Sequence, residues 1–269
     1  MEIRELHGAA DMQQCEDIQR EVWGMGDLEV VPTNQLIAAL HAGSCLLGAW
    51  QGDKLVGFVY GFPAYHPEQT PAQGMHSHMM AVLPEARGLG LGKQLKWAQR
   101  DWCLTRGLTW ITWTFDPLQA RNARLNFEHF GALADHYLDN VYGELTGTLN
   151  SGLPSDRLLA MWHLHDPQVD ALERGEVQPD IQFDVNESPF ALENNDGEPA
   201  AINLGLLTPS VRVAVPADVS ALKRYAPEVA LKWRLEQRRV FHHYFANGYR
   251  IRRFVSGVYL LIKETSASS

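Results

Sequence analysis

The stretch Val82-Leu83-Pro84-Glu85-Ala86-Arg87-Gly88-Leu89-Gly90-Leu91-Gly92 constrains this chain more than any other. The apolar run Met79 to Leu83 reads as the end of a buried strand. Pro84 stops that strand because it has no N–H to give a ladder. Three glycines then follow at alternate positions, and Lys93 to Ala98 opens a helical pattern. Glycine lacks a Cβ, so successive backbone N–H groups can turn inward and approach a ligand closely. The helix behind the turn points its positive end into the same space. Strand, glycine turn and helix in that order make an anion cradle suited to a phosphate or pyrophosphate. The turn is neither a P-loop, since no Gly-Lys-Ser/Thr closes it, nor the G-x-G-x-x-G of a dinucleotide site.

At these residues the chain resembles the GNAT superfamily of N-acyltransferases. Its signature is Arg/Gln-x-x-Gly-x-Gly/Ala after a strand ending in Val-x-Pro, and Arg87-Gly88-Leu89-Gly90-Leu91-Gly92 matches it in full. The resemblance implies that amides of Arg87, Gly88, Leu89, Gly90, Leu91, Gly92 and Lys93 hold the pyrophosphate of acetyl-CoA or another acyl-CoA. It also implies that Met80, Ala81 and Val82 on the preceding strand run beside the pantetheine. The implied fold is α/β, a mixed and mostly antiparallel central sheet flanked by helices. The resemblance covers residues 1–165 as an acyl-CoA-binding core. Residues 166–269 form a C-terminal α/β extension that would shape the acceptor site or an oligomer interface, a homodimer being the assembly considered.

Composition narrows the partners. A chain of 269 residues suits one large domain or two smaller ones. No apolar run approaches the roughly 20 residues that a membrane span needs, and Met1-Glu2-Ile3-Arg4-Glu5 lacks the layout of a signal peptide. Three distant cysteines, Cys15, Cys45 and Cys103, suggest reduced thiols in a cytoplasmic protein. A net charge of −9 argues against a nucleic-acid binder. The charge is uneven: residues 210–269 hold 11 Lys/Arg against 4 Asp/Glu. A solvated helix face is the preferred reading, ahead of a basic wall facing an anionic cofactor or a carboxylate substrate.

Along the chain, Asp11 to Trp23 is a predicted helix with Asp11 as N-cap, and Thr33 to His41 a second one with Pro32 at its first position. Ser44 to Trp50 and Leu55 to Phe62 form a hairpin around Gln51-Gly52-Asp53-Lys54. Pro63 to Gln73 reads as a mobile loop near the site, followed by the strand Met75 to Leu83 and a helix from Gly90 to Arg106. Leu108 to Phe115 alternates as a strand, Gln119 to Phe130 is a helix closed by Gly131, and Ala132 to Tyr142 and Leu158 to His165 are strands around the polar loop Gly143 to Asp156. The order of elements agrees with the family resemblance. Asp166 to Asp180 reads as a linker, Asn194 to Gly197 as a turn and Val211 to Val215 as a strand. Val219 to Asn247 reads as a helix broken at Pro227. Ser256-Gly257 is the strongest hairpin signal of this half, and Thr265 to Ser269 a frayed tail.

The reaction implied by the family is attack of an amine on a thioester, which needs a base and, for the leaving thiolate, an acid. Many members carry the base on the strand before the loop; the matching position is His76, and alternation puts His78 and Met80 on the same face. Imidazole is chemically adequate as a base at neutral pH. The helix after Asp116-Pro117 commonly supplies a Tyr as acid and cofactor contact. Here the position holds Phe127, which has no proton to give. Tyr137, Tyr142 and His129 are substitutes on generic grounds, with water or release as thiolate as equal alternatives; for Asn122 the resemblance implies a pantetheine contact, while capping or turn duty is the commoner role of Asn. His76/His78 and His163/His165 could each put two imidazoles on a strand face, but without a third ligand no metal is expected. Arg238, Arg239, Arg250, Arg252 and Arg253 suit carboxylate or phosphate recognition or a plain surface role.

The expected activity is transfer of an acetyl or succinyl group, from acetyl-CoA or succinyl-CoA, to a small primary amine. The first choice of acceptor is the α-amine of an amino acid, attacking directly in a ternary complex. The rivals are acetylation of a protein or peptide amine and a CoA-binding module without catalysis.

Overall fold

The computed structural model describes residues 1–143, 152–176 and 185–264. The frayed tail expected at Thr265 to Ser269 lies outside them, as do residues 144–151 of the expected polar loop and 177–184 around the expected linker. The chain packs into two units. One comprises Met1–Trp113 with His163–His165, the other the remaining described residues. This division differs from the compositional one at residue 165.

The first unit is a sheet in the order β1 (Glu2–Glu5), β2 (Cys45–Gln51), β3 (Lys54–Tyr65), β4 (Gln73–Val82) and β5 (Trp110–Phe115). β1 to β4 pair antiparallel, and β5 joins β4 in parallel. β2 is buried at all but its last residue. Such a run fits a strand covered on both faces: α1 (Gly8–Trp23) packs on β3 and β4, while α3 (Leu91–Leu104) packs on β2, β3 and β4. α2 (Thr33–His41) packs on α1. The segment between α1 and α2 is pinned by buried Gln19, whose amide accepts from Val31 N at 2.8 Å and donates to Val31 O at 3.1 Å.

Local chemistry moved several boundaries. α1 starts earlier than expected, with His7 as N-cap. Asp11 serves from inside the first turn, accepting the His7 amide at 2.8 Å. Pro32 is itself the N-cap of α2, with extended backbone. β3 continues through Pro63 to Tyr65, so the expected loop is shorter. It is also fastened: His66 N donates to Ala72 O at 2.8 Å, and Trp110 Nε1 donates to Pro71 O at 2.9 Å. The Trp110 ring lies against Gly74, where a Cβ would fall 2.2 Å from Trp110 Cδ2.

In the second unit the sheet order is β7 (Arg157–His163), β6 (Leu133–Leu138), β12 (Tyr249–Val255), β13 (Val258–Lys263), β11 (Ser210–Ala214) and β8 (Phe190–Leu192). All neighbours are antiparallel except β8 and β11. β12 and β13 form the expected hairpin, with positive φ at both Ser256 and Gly257. A two-stranded ribbon, β9 (Asn194–Asn195) and β10 (Glu198–Pro199), turns at Asp196-Gly197 in the same way. The expected helix from Gln119 is α4 (Ala120–Arg124) running into a wider π-helical turn, Leu125–His129. The expected linker contains α5 (Pro167–Glu173), capped by Asp166, which accepts from Gln168 N at 2.8 Å. α6 (Val219–Tyr225) and α7 (Pro227–Ala246) are the two parts of the helix broken at Pro227. The sheet is mixed and largely antiparallel in both units, with helices against it, which is the expected fold class. Among the described residues no helix is long and apolar enough to cross a membrane.

Candidate active site

The glycine turn runs from a short 3₁₀ turn, Pro84–Ala86, to the start of α3. Gly88 and Gly90 both hold positive φ, +84° and +73°, a region costly for residues with a Cβ. Arg87 Nε donates to Val82 O at 3.3 Å and Gln94 Nε2 to Leu89 O at 3.3 Å, so side chains tie off two carbonyls around the turn. The amides of Gly88 through Lys93 donate to no acceptor among the described residues. Arg87 to Gly90 are exposed, whereas Leu91 is buried and anchors the helix start. A Cβ on Gly88 would meet nothing within 4 Å, and one on Gly92 would touch Met80 Cε at 3.6 Å. The acid nearest in sequence, Glu85, is paired with Lys54 at 2.8 Å. Unpaired N–H groups, a helix N-terminus and two cationic side chains at Arg87 and Lys93 are the donor set that a pyrophosphate needs. The residues present therefore fit the diphosphate of coenzyme A.

The strand leading to the turn is β4. Ala81 is buried and pairs with Phe58; Met80 and Val82 are half-buried. His76, His78 and Met80 share the less buried face, as alternation requires. The β3–β4 register places Tyr60 opposite Met79 and Gly61 opposite Ser77, so His78 is the extra residue of a bulge. A bulge leaves the extra residue without a ladder partner and re-aims its side chain.

His76 lies with its Nδ1 3.0 Å from Thr112 Oγ1, its register partner on β5. Burial, with smaller contributions from His78 and Lys96, brings its pKa down to about 4. Burial also lowers His78. Both imidazoles are consequently neutral near pH 7 and able to accept a proton. The Phe62 ring sits 5.3 Å from His76 and 5.6 Å from His78, and Tyr60 sits 6.0 Å from His78.

His78 also lines an open cleft of about 360 Å³ with Val31, Gln35, Ala39, Ser44, Tyr60 and Phe62. Its walls are largely apolar. Sequence reasoning found the histidines and missed the cleft. Tyr60 and Phe62, two apart on the strand paired to β4, were the available signal.

The remaining sequence-selected residues belong to the second unit. Asn122 is exposed on α4. Phe127 is fully buried, edge-on to Phe115 and Tyr259 at 6.0 Å and 5.8 Å. It is a core residue, and its burial leaves no surface for a cofactor contact. Tyr137 is 6% exposed and stacked on Phe241, and its hydroxyl donates to Asp156 at 2.8 Å. Burial foremost pushes the Tyr137 pKa well up, so its proton is held inside the protein. Tyr142 is exposed, with its hydroxyl 3.3 Å from Thr114 Oγ1. The arginines that suited either ligand recognition or a surface role are largely engaged. Arg238 makes two bonds to Asp156 at 2.8 and 2.6 Å, Arg239 pairs with Glu236, and Arg250 pairs with Asp135 and Glu264. Among the described residues no group of three or more His, Cys, Asp or Glu side chains is placed to hold a metal ion.

Turn, strand and helix fit the acyl-CoA-dependent N-acyltransferase that the resemblance implies, and a family model supplies the class. Residues 10–131 match the model of the Acetyltransferase (GNAT) family, so the chain carries a GNAT acetyltransferase domain there. Among solved structures the chain is similar to yncA from Salmonella typhimurium with its cofactor acetyl-CoA, at 19% identity, over 62% of this chain and 95% of that one, with a TM-score of 0.49. It is also similar to a ribosomal-protein-alanine N-acetyltransferase from Brucella melitensis, at 18% identity, over 61% and 99%, with a TM-score of 0.48. A third is an aminoglycoside 6'-N-acetyltransferase complexed with coenzyme A, at 16% identity, over 62% and 98%, with a TM-score of 0.47. No curated protein matches the chain.

Proposed function

We propose that the protein transfers an acyl group from acyl-CoA to the primary amine of a small molecule, with the α-amine of an amino acid bearing an apolar side chain as acceptor. The observation that carries this reading is the apolar cleft against His78, on the strand face that leads to the glycine turn. Acyl-CoA supplies a thioester carbonyl. The turn amides and α3 N-terminus bind its diphosphate, and β4 directs the attached arm toward His78. Neutral His78, on the cleft wall, takes the proton that the acceptor ammonium must lose before its nitrogen can attack. His76, held by Thr112, orients a relaying water. The backbone N–H at the bulge offers a donor where negative charge develops on the carbonyl oxygen. Phe127 and Tyr137 take no part, and the thiolate leaves to solvent.

The experiment is a transfer assay with acetyl-CoA and succinyl-CoA against a panel of primary amines, beside calorimetry with CoA. Apolar amino acids should be acylated faster than polyamines or peptides. Gly90→Val, which forces a branched residue into positive φ, should abolish the CoA heat. The second reading, a CoA-binding module without turnover, draws on the absence of a phenol at Phe127. Full CoA binding with no acylation of any amine would establish it and discard the first.

A further inference from the structure

The cleft beside His78 holds two hydroxyl groups that the transfer of an acyl group does not call for. Ser44 stands just before β2 and Tyr60 lies on β3; both line the cleft, although they are only 4% and 5% exposed. The β2–β3 register pairs Leu46 with Tyr60, which brings Ser44, two residues earlier, to the same side. Burial raises the Tyr60 pKa, and the neighbouring Ser44 hydroxyl opposes that rise. Neither hydroxyl has another partner among the described residues. A hydroxyl offers one donor and two lone pairs, so a pair bonded to each other keeps one donor and three lone pairs for a third group.

The rest of the wall sets what that third group is attached to. Val31, Ala39, Ala42 and Phe62 are apolar, and no Asp, Glu, Lys or Arg is among the lining residues. Burial lowers the His78 pKa, so this imidazole is neutral near pH 7 as well. A charged group entering such a wall gives up its hydration for no partner, whereas a neutral hydroxyl that finds a hydrogen bond loses little. The carboxylate of an amino-acid acceptor therefore stays at the rim, where Gln35 is exposed, and the side chain enters. Rings meet it there: Tyr60 and Phe62 are 6.1 Å apart, and His78 lies 6.0 Å from Tyr60 and 5.6 Å from Phe62. A further aromatic ring packs well at such spacings.

We propose that the cleft selects an acceptor whose uncharged aromatic side chain ends in one hydroxyl, and that the Ser44 and Tyr60 hydroxyls recognise that group. The incoming phenol donates to one of the pair and accepts from the other. Solvent meets the same need in an open cleft. A side chain with a bare ring displaces that water and returns no hydrogen bond, so it binds less well. The inference rests on the acyl-transfer reading for the amine's place at His78; recognition of the hydroxyl is a binding property and is measured as one.

The test is calorimetry on the full chain with CoA present, using tyrosine, phenylalanine and 4-carboxyphenylalanine as probes, with acetyl transfer to the same three measured alongside. Tyrosine should bind roughly tenfold more tightly than phenylalanine, the worth of one net hydrogen bond. The added carboxylate of 4-carboxyphenylalanine should make it the weakest of the three. Tyr60→Phe should bring the tyrosine-to-phenylalanine ratio close to one, and Ser44→Ala should lower it. The ratio is taken within each protein, so a partly unfolded variant does not imitate the result. Equal affinities in the wild type would overturn the inference, as would a ratio left unchanged by either substitution. So would 4-carboxyphenylalanine binding as well as tyrosine, or no heat with any probe. Selective binding of tyrosine without transfer keeps the inference and removes the acyl-transfer reading; acylation of tyrosine and phenylalanine at equal affinity does the reverse.

Discussion

Lys96 allows a quantitative test of how the core of the first unit was assembled. It lies on α3, 4% exposed, with its ammonium donating to Gln99 Oε1 at 3.0 Å and standing 3.9 Å from the centre of the Trp113 ring. No carboxylate pairs with it among the described residues, and burial brings its pKa from 10.5 down to about 7. At 1.36 kcal/mol per pH unit, that fall means that holding the charged form in the fold costs about 5 kcal/mol. The sign follows from proton counts. Between pH 7 and 10.5 the unfolded chain binds a proton that the folded chain does not, so stability rises with pH across that window. Below pH 7 the full cost is present. Replacing Lys96 by Met removes the charge but leaves Gln99 Oε1 without its donor, a loss of about 1–3 kcal/mol. The Lys96→Met variant should therefore be more stable than wild type by about 2–4 kcal/mol at pH 6. By pH 9 that advantage should shrink by about 2.5 kcal/mol, to between about zero and 1.5 kcal/mol. Urea denaturation followed by tryptophan fluorescence at both pH values measures the difference directly. If the gap between the two proteins is the same at pH 6 and pH 9, the ammonium is not buried as described and the reasoning fails.

Gly74→Ala drives a methyl to 2.2 Å from the Trp110 ring; it should cost about 1–3 kcal/mol in a urea titration, and an unchanged midpoint would show that the ring is free to retreat. Asp156→Asn leaves Arg238 with a poorer partner inside the fold, and should destabilise by about 3–5 kcal/mol at pH 7. Asp156 has its pKa lowered by the bonds from Arg238, Asn140 and Tyr137 against an opposing burial effect. Its stabilisation is therefore present above 3.8 and lost as pH falls through the lower folded value, so wild type and variant should converge in acid denaturation. His78→Ala should reduce kcat by roughly a hundredfold or more. In the wild type the acid limb of kcat/KM should fall below the ordinary imidazole value, because burial lowers His78 and brings His76 to about 4. A limb at 6.5 would remove both histidines from the reaction.

Local signals were legible where a backbone requirement has a single chemical answer. Positive φ at the second and third residues of a tight hairpin left Ser256-Gly257 and Asp196-Gly197 few alternatives. Pro227 could only divide the long helical pattern. The glycine turn belongs to the same group. Elements defined by a single side-chain bond were harder to see. α5 rests on Asp166 capping a seven-residue helix, and the composition around it masked the signal. The π-helical turn before Phe130 has no residue spacing of its own. Clustering across long separations was not legible at all. Arg238 read equally as a ligand contact or a surface residue, because its partner Asp156, 82 positions away, is invisible until the chain folds. The cleft combines Val31 and Gln35 with Tyr60 and Phe62 for the same reason.

A grip built from peptide N–H groups has a further consequence. Every residue except proline supplies the same donor, so under the proposed function the exposed Leu89 could drift without loosening the hold on the carrier. The cleft is the reverse case, since each wall residue acts through its own shape. Under the proposed function, variation at Val31, Ala39, Tyr60 or Phe62 would alter which amine is admitted while the activated group arrives by an unchanged route. In a chain arranged this way, new acceptors can be explored a single side chain at a time.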